Sequence, residues 1–400
     1  MSNMALSLLV DENIPLAHEA FGTLGTVRTM PGREMQRSDL SSTDVLLVRS
    51  VTRVGPELLS GTPVRFVGSA TIGTDHVDRV WLEQRGIPFA HAPASNADSV
   101  ADYVVSIALR LAVKTGTDLR DRTAGIIGCG NTGSRVAQRL HALGVRVLRN
   151  DPPLAEAARA RGASHPYVSL DAVVEEADLL SLHTPITTTG AHPTHHLIDG
   201  DVLDQLVPHT WLINTSRGAV VDNVALLHRL TRRTGSGGRG LQAVALDVWE
   251  NEPTPDLHLV RQVDLSTPHV AGYAYDGKVR GTTMLYKSLC KHLNVDPTWR
   301  PDAALASDTS GALSLAPPDP RLSPTGYLDA LAQQACDVTA DHRRMQGILN
   351  DPADGPGAFF SHLRKTYPTR REMQVQRVEP SAIPEAYVDA VQNGLGLRLT

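Results

Sequence analysis

The chain is short of cysteine, of net charge and of long apolar runs, and each shortage excludes something. Three cysteines in 400 residues, Cys129, Cys290 and Cys336, are odd in number and widely scattered. Such a set fits free thiols in a reducing compartment and has no metal-ligand spacing. A net charge of -5 with a pI near 6.3 argues against a broad face that neutralises nucleic-acid phosphates. A small anionic substrate remains compatible with it. No apolar run reaches the roughly 18 residues that a membrane-spanning helix needs. The opening Met1-Ser2-Asn3-Met4 lacks a basic start, and Asp11-Glu12 closes the first apolar run at once, so no secretory signal is expected. The expectation is a cytoplasmic protein without nucleic-acid or membrane partners.

What the chain does have is Gly128-Cys129-Gly130-Asn131-Thr132-Gly133 between a strand-like run, Ala124 to Cys129, and a helical pattern carrying Val136, Leu140 and Leu143. Gly128 and Gly130 allow a tight turn and a close approach of backbone N–H groups to a pyrophosphate, and Gly133 lets the helix pack on its strand. The helix N-terminus adds positive potential. Asp151 ends the next apolar run, 18 residues beyond Gly133. A carboxylate there bonds ribose hydroxyls and repels a 2'-phosphate, which favours NAD over NADP, with nearby Arg149 pulling the other way. A second match to the same pattern, Gly235 to Gly240, follows a helix-like run and precedes a strand-like one. That reversed context offers no helix N-terminus to a phosphate, so a flexible surface loop is expected.

Strand-like runs recur at Leu6 to Val10, Val45 to Val48, Val64 to Val67, Ala124 to Ile127, Val145 to Leu148, Leu179 to Leu182, Trp211 to Ile213 and Ala243 to Val248. Their alternation with helical patterns predicts parallel sheets covered by helices. Val100, Tyr103, Val104, Ile107, Ala108 and Leu111 predict a long helix behind the capping group Ser95 to Ser99. Met284, Leu285, Leu289 and Leu293 predict another that returns the chain to its first domain. After Asn294 the composition turns to proline, serine and alanine, which reads as an irregular connection. Beyond it, Tyr327, Leu328, Leu331, Ala335 and Cys336 could share one helix face, whereas Leu363 to Glu372 is mostly basic and polar.

Three polar residues follow successive strand-like runs where ligands bind in such sheets: Arg217, Glu252 and His269. A guanidinium grips a carboxylate through two parallel hydrogen bonds and stays charged at any working pH. A histidine can accept a hydroxyl proton as hydride leaves, and a carboxylate such as Glu252 would orient its ring. Taken singly, each has a bland alternative: a solvated cation, a loop acid, a histidine satisfied by backbone. Jointly, in the required chemical types beyond a dinucleotide fingerprint, they point to alcohol oxidation. His192, His195 and His196 read as solvated loop histidines rather than metal ligands, because the spacing fits no closed zinc site. Cys129 reads as a small packing residue.

These motifs, with Val10 to Pro15, Val48 to Thr52, Ala70 to Asp78, Asn150 to Pro153, His183 to Pro185, Arg217 to Asn223, Asp247 to Pro253, Pro268 to Tyr273 and Gly277 to Thr283, make the chain resemble the D-isomer-specific 2-hydroxyacid dehydrogenases. The resemblance implies an α/β protein with two Rossmann-like parallel-sheet domains and a cleft between them, plus a smaller C-terminal α+β dimerisation domain. Its implied boundaries are 1–98 with 276–296 for substrate, 99–275 for NAD and 297–400 for a homodimer contact. It implies His269 as acid/base, Glu252 as its partner and Arg217 as carboxylate anchor. It also implies Ser50, Thr71 and Tyr273 at the substrate, a small phosphorylated 2-hydroxy acid. At the cofactor it implies Asp151, Thr184, Asp247 and Gly272, beside Gly128, Gly130 and Gly133. Arg49 and Arg53 are candidates for the phosphate or else ordinary surface charges. Other family substrates, 3-phosphoglycerate or glyoxylate and hydroxypyruvate, stay open, as does an NAD-sensing binding protein on the same fold.

Overall fold

The computed structural model describes residues 6–232, 241–302, 305 and 314–400; the second glycine-rich copy at Gly235 to Gly240 lies outside them. The chain forms two compact units, 1–96 with 274–310 and 97–273 with 311–400.

In the first unit, β1 (Leu6–Asp11), β2 (Gly25–Met30), β3 (Val45–Val48), β4 (Phe66–Ser69) and β5 (Phe89–His91) form a parallel sheet in the order β2-β1-β3-β4-β5. Alternate residues of a strand face opposite sides, and here both sides are buried. Leu8, Val10, Val45 and Leu47 meet Leu285, Tyr286 and Leu289 of the helix Tyr275–Leu293, while Leu9, Leu46 and Val48 meet Leu58, Leu59 and Leu82 on the other face. That two-sided burial is why the strands read as unbroken apolar runs.

The second unit carries a six-stranded parallel sheet, β11-β10-β9-β8-β6-β7. Its strands are β6 (Thr123–Ile127), β7 (Arg146–Asn150), β8 (Leu179–Leu182), β9 (Trp211–Asn214), β10 (Ala243–Leu246) and β11 (Leu265–Ser266). From β6 the chain adds β7 on one side and β8 to β11 on the other, so the order reverses between β6 and β8. Ligands bind outside the carboxyl ends of strands at such a reversal. Strands β2, β5 and β11 escape the sequence reading: β2 is a partly exposed edge strand with polar residues, and the other two have three and two residues.

The long helix Ala97–Thr115 has little solvent face, with Ser99, Asp102 and Ser106 buried alongside its apolar residues. One reason is the C-terminal segment. Tyr327, Leu328, Leu331 and Ala332 of the helix Pro324–Ala335 join Tyr103, Val104, Ile107 and Leu111 in one core. Ser99 Oγ donates to Glu372 Oε1 at 2.7 Å, Tyr103 Oη to Asp341 Oδ2 at 2.9 Å, and Met373 N to Asp102 Oδ2 at 2.9 Å. Among the described residues no helix is long and apolar enough to cross a membrane.

Candidate active site

The fingerprint turn forms because two of its three glycines, Gly128 and Gly133, sit where side chains cannot. Gly128 has φ +85° and its N–H donates to Asn150 O at 2.8 Å. A Cβ there would lie 2.8 Å from the His183 carbonyl, and a Cβ at Gly133 would lie 1.9 Å from Gly128 O. A Cβ at Gly130 would meet nothing within 4 Å, so this glycine borders open space. The helix Asn131–Ala142 begins directly after it with no side-chain cap on its first N–H groups. Uncapped donors beside open space suit a pyrophosphate.

Asp151 sits at the end of β7, where Oδ2 accepts from Cys129 N at 2.8 Å and Oδ1 from Leu154 N at 3.0 Å. The carboxylate therefore ties the fingerprint turn to the next helix, and an ionised carboxylate retains acceptor capacity for ribose hydroxyls. Thr184, after β8, has a buried Oγ1 with no hydrogen-bond partner, and His183 Nδ1 is in the same condition. Buried polar atoms of this kind normally find a partner, so an orphan hydroxyl beside the fingerprint fits a bound dinucleotide. Cys129 is buried, and burial pushes its thiol up to about 12, as suits a packing residue.

His183 was not singled out from sequence as a functional side chain. Its Nε2 bonds Ser181 Oγ at 2.9 Å, and burial pushes its pKa from 6.5 down to about 3. Between those values the unfolded chain binds the proton and the folded chain does not, so stability falls as pH drops. The expected slope is about 1.4 kcal/mol per pH unit below roughly 6.5. Denaturant midpoints measured from about pH 7 to about pH 4.5 should decline less in His183→Gln, which removes this titration. Parallel declines in the two proteins would contradict it.

The three catalytic candidates line one cavity of about 510 Å³. Arg217 caps the turn Gly218–Val220 after β9, and its Nη1 donates to Ser216 O at 2.8 Å. Gly218 lets that loop touch the next one, since a Cβ there would fall 1.9 Å from the Trp249 carbonyl carbon. Only glycine fits, and the contact brings the Arg217 loop against the Glu252 loop. Glu252 Oε1 accepts from Trp249 N at 3.0 Å, and Oε2 lies 2.7 Å from His269 Nδ1. Burial pushes the Glu252 carboxyl up, but the His269 ring, the Arg364 guanidinium and the Trp249 N–H outweigh it and hold it below its ordinary value. It stays a carboxylate and draws the ring proton to Nδ1, leaving Nε2 for chemistry.

His269 itself has φ +57°, uncommon for a side chain other than glycine. The residues after it are clamped from two sides. Asp247, just past β10, accepts from Val270 N at 2.8 Å, Ala271 N at 3.0 Å and Thr267 Oγ1 at 2.6 Å. Arg370, buried in the C-terminal segment, donates to Ala271 O at 2.5 Å and Val270 O at 3.3 Å. Gly272 follows, and the ring of Tyr273 meets Tyr367 edge-on at 5.9 Å with the Arg364 guanidinium 5.4 Å from its centre. Sequence reading missed Arg364, Tyr367 and Arg370, because a run of basic residues looks the same whether solvated or buried.

Ser50 and Thr71 belong to the first unit, just beyond β3 and β4. Ser50 is exposed, and Thr71 Oγ1 bonds Ser69 Oγ at 2.6 Å and Gly73 O at 2.8 Å. The loop histidines differ from the solvated reading in part. His192 bonds Glu156 at 2.7 Å, and His196 is half-buried with Nε2 2.5 Å from Glu250 Oε1. The reason is a fold-back: His195 N donates to Thr187 O at 3.0 Å and His196 N to Ala219 O at 2.7 Å, which brings the end of the loop to the cavity.

Comparison with known proteins agrees with this geometry. Residues 97–271 match the family model described as the D-isomer specific 2-hydroxyacid dehydrogenase NAD binding domain. The erythronate-4-phosphate dehydrogenase of Salinibacter ruber is 55% identical over 395 residues, covering 99% of either chain. That of Azotobacter vinelandii is 45% identical, covering 94% of this chain and 95% of its own. Among solved structures, a D-lactate dehydrogenase from Aquifex aeolicus complexed with NAD and lactic acid aligns with a TM-score of 0.58 at 26% identity, over 72% of this chain and 96% of its own.

Proposed function

The chain belongs to the erythronate-4-phosphate dehydrogenases of the D-isomer-specific 2-hydroxyacid dehydrogenase family, and from that premise we propose that it oxidises 4-phospho-D-erythronate to (R)-3-hydroxy-2-oxo-4-phosphooxybutanoate in pyridoxal phosphate biosynthesis. It is an NAD-dependent enzyme. The observation that carries the reading is the meeting of Arg217, Glu252 and His269 in one cavity.

NAD, when bound, supplies the hydride acceptor; Gly128, Gly130 and Gly133 would hold its phosphates, Asp151 its ribose, and Thr184, Asp247 and Gly272 would complete the contact. Arg217 binds the substrate carboxylate as a bidentate pair and fixes which face of the carbinol carbon is presented. His269 Nε2 takes the hydroxyl proton as the carbon is oxidised, so charge develops on an imidazole already hydrogen-bonded to Glu252 through Nδ1. In the reverse direction the same nitrogen returns the proton to the carbonyl oxygen. Ser50, Thr71 and Tyr273 contact the rest of the substrate, and Arg49 and Arg53 are the cations assigned to its phosphate. The protein acts in the cytoplasm as a homodimer joined through residues 297–400; sedimentation of the full chain at the mass of one chain would reject the dimer.

The decisive assay is NADH formation from a panel of 2-hydroxy acids. We expect kcat/KM for 4-phospho-D-erythronate to exceed that for glycerate and unphosphorylated D-erythronate by at least about 10-fold, since a site built for a charged group rejects analogues without it, and that for 3-phosphoglycerate by a similar factor, since its phosphate sits one carbon nearer the reacting centre. Equal or better use of any of the three would reject the substrate assignment.

A further inference from the structure

We propose that His195, His196 and Glu250 bind a divalent transition-metal cation of the zinc class at the cavity that also holds Arg217, Glu252 and His269. Each of the three offers one ligand atom, and these atoms lie within 4.8 Å of one another. Neither the assigned reaction nor the cofactor uses them, so the site stands apart from the dehydrogenase reading.

Neighbouring residues in extended backbone send their side chains to opposite sides. His196 has φ +50°, and with that turn the two rings stack with centroids 4.0 Å apart and planes 26° apart. A left-handed conformation at a residue other than glycine is strained and persists where its surroundings impose it. Here it puts two imidazoles on one side of the chain.

Glu250 is fixed as a ligand would need to be. Its Oε2 accepts from Asn223 N at 3.3 Å and its own N–H donates to Asn223 Oδ1 at 3.2 Å, while Oε1 faces His196 Nε2. The other nitrogen of that ring, Nδ1, lies 3.7 Å from Asp222 Oδ2. A carboxylate behind a histidine orients the ring and raises its basicity at metal sites, where the far nitrogen is the ligand. The chain Asp222, His196, Glu250 therefore has a carboxylate near one ring nitrogen, just beyond hydrogen-bond distance, and an acidic co-ligand on the other.

Ligand atoms around a four-coordinate zinc ion stand about 3.3 Å apart, given metal–nitrogen bonds near 2.0 Å. Against that figure His196 Nε2 and Glu250 Oε1, 2.5 Å apart, must separate as a metal replaces the proton between them, while the wider separations, up to 4.8 Å, close by rotation of His195, whose exposed side chain turns without disturbing a core. Two imidazoles and one carboxylate select zinc, cobalt or nickel over magnesium or calcium, which prefer oxygen alone. Three protein ligands leave a fourth position for water or an anion.

The test is a titration of the full-length protein, stripped of metal with a chelator, with cobalt(II) followed by zinc. Four-coordinate cobalt absorbs strongly in the visible range. We expect that band to appear at stoichiometric cobalt and to bleach on adding zinc. In His195→Gln and in Glu250→Gln the apparent affinity should fall at least about 10-fold. His195 is exposed, so the first variant keeps the fold, which NADH binding would confirm. Absence of the band in the parent protein, or unchanged cobalt affinity in His195→Gln, would overturn the proposal.

Discussion

Replacing His269 with Asn is expected to lower kcat by about 10³-fold while leaving NADH affinity within about 2-fold, because a positioned general base contributes on the order of 10² to 10⁴ in rate. Asn is the substitution to use. The backbone at His269 has φ +57°, which Asn tolerates better than Ala, so a loss of rate reflects the missing imidazole rather than a collapsed loop. Glu252 remains in place with its Oε1 on Trp249 N, and Val270 and Ala271 remain held by Asp247 and Arg370. Stopped-flow NADH formation gives kcat, and fluorescence titration gives cofactor affinity. If turnover fell less than about 10-fold, another group would be taking the proton.

Arg217→Ala is expected to reduce kcat/KM for the hydroxy acid by about 10³-fold, with the KM for NAD little changed. Two charge-assisted hydrogen bonds to a carboxylate, at roughly 2 kcal/mol each, give that factor. Arg217→Lys keeps the charge and loses the planar fork, so it should recover part of the loss and no more. Steady-state kinetics of the three proteins separate charge from geometry. Full activity in the Lys protein would mean that the guanidinium acts only as a point charge, and full activity in the Ala protein would remove the anchor.

Much of this site is legible in the sequence because it is written locally. Gly128, Gly130 and Gly133 sit within six residues, and the consequence of each is a short-range clash or its absence. Arg217 and Glu252 each follow a strand that announces itself as an apolar run, and a parallel sheet brings strand ends to one edge, where the short β11 adds His269. The misses are long-range or short. Strands of two and three residues carry too little pattern to detect. The clamp on Val270 and Ala271 comes from Arg370, about 100 residues downstream, and no periodicity links them. Arg370, Arg371 and Glu372 look like solvent-facing charge, yet all three are buried. Arg370 reaches Ser99, Val270 and Ala271 among others, and Glu372 accepts from Ser99. Such exchanges become visible only when remote segments meet. His196 illustrates the same limit, since Glu250 lies 54 positions away.

The helix Ala97–Thr115 has almost no wet side, and that bears on truncation. A chain cut back before Pro324 would strip the cover from Tyr103, Ile107 and Leu111 and leave Asp102 and Ser99 without Met373 and Glu372. The product would be sticky rather than merely shorter. The helix and its C-terminal cover are therefore one folding unit, and neither is expected to stay in solution without the other.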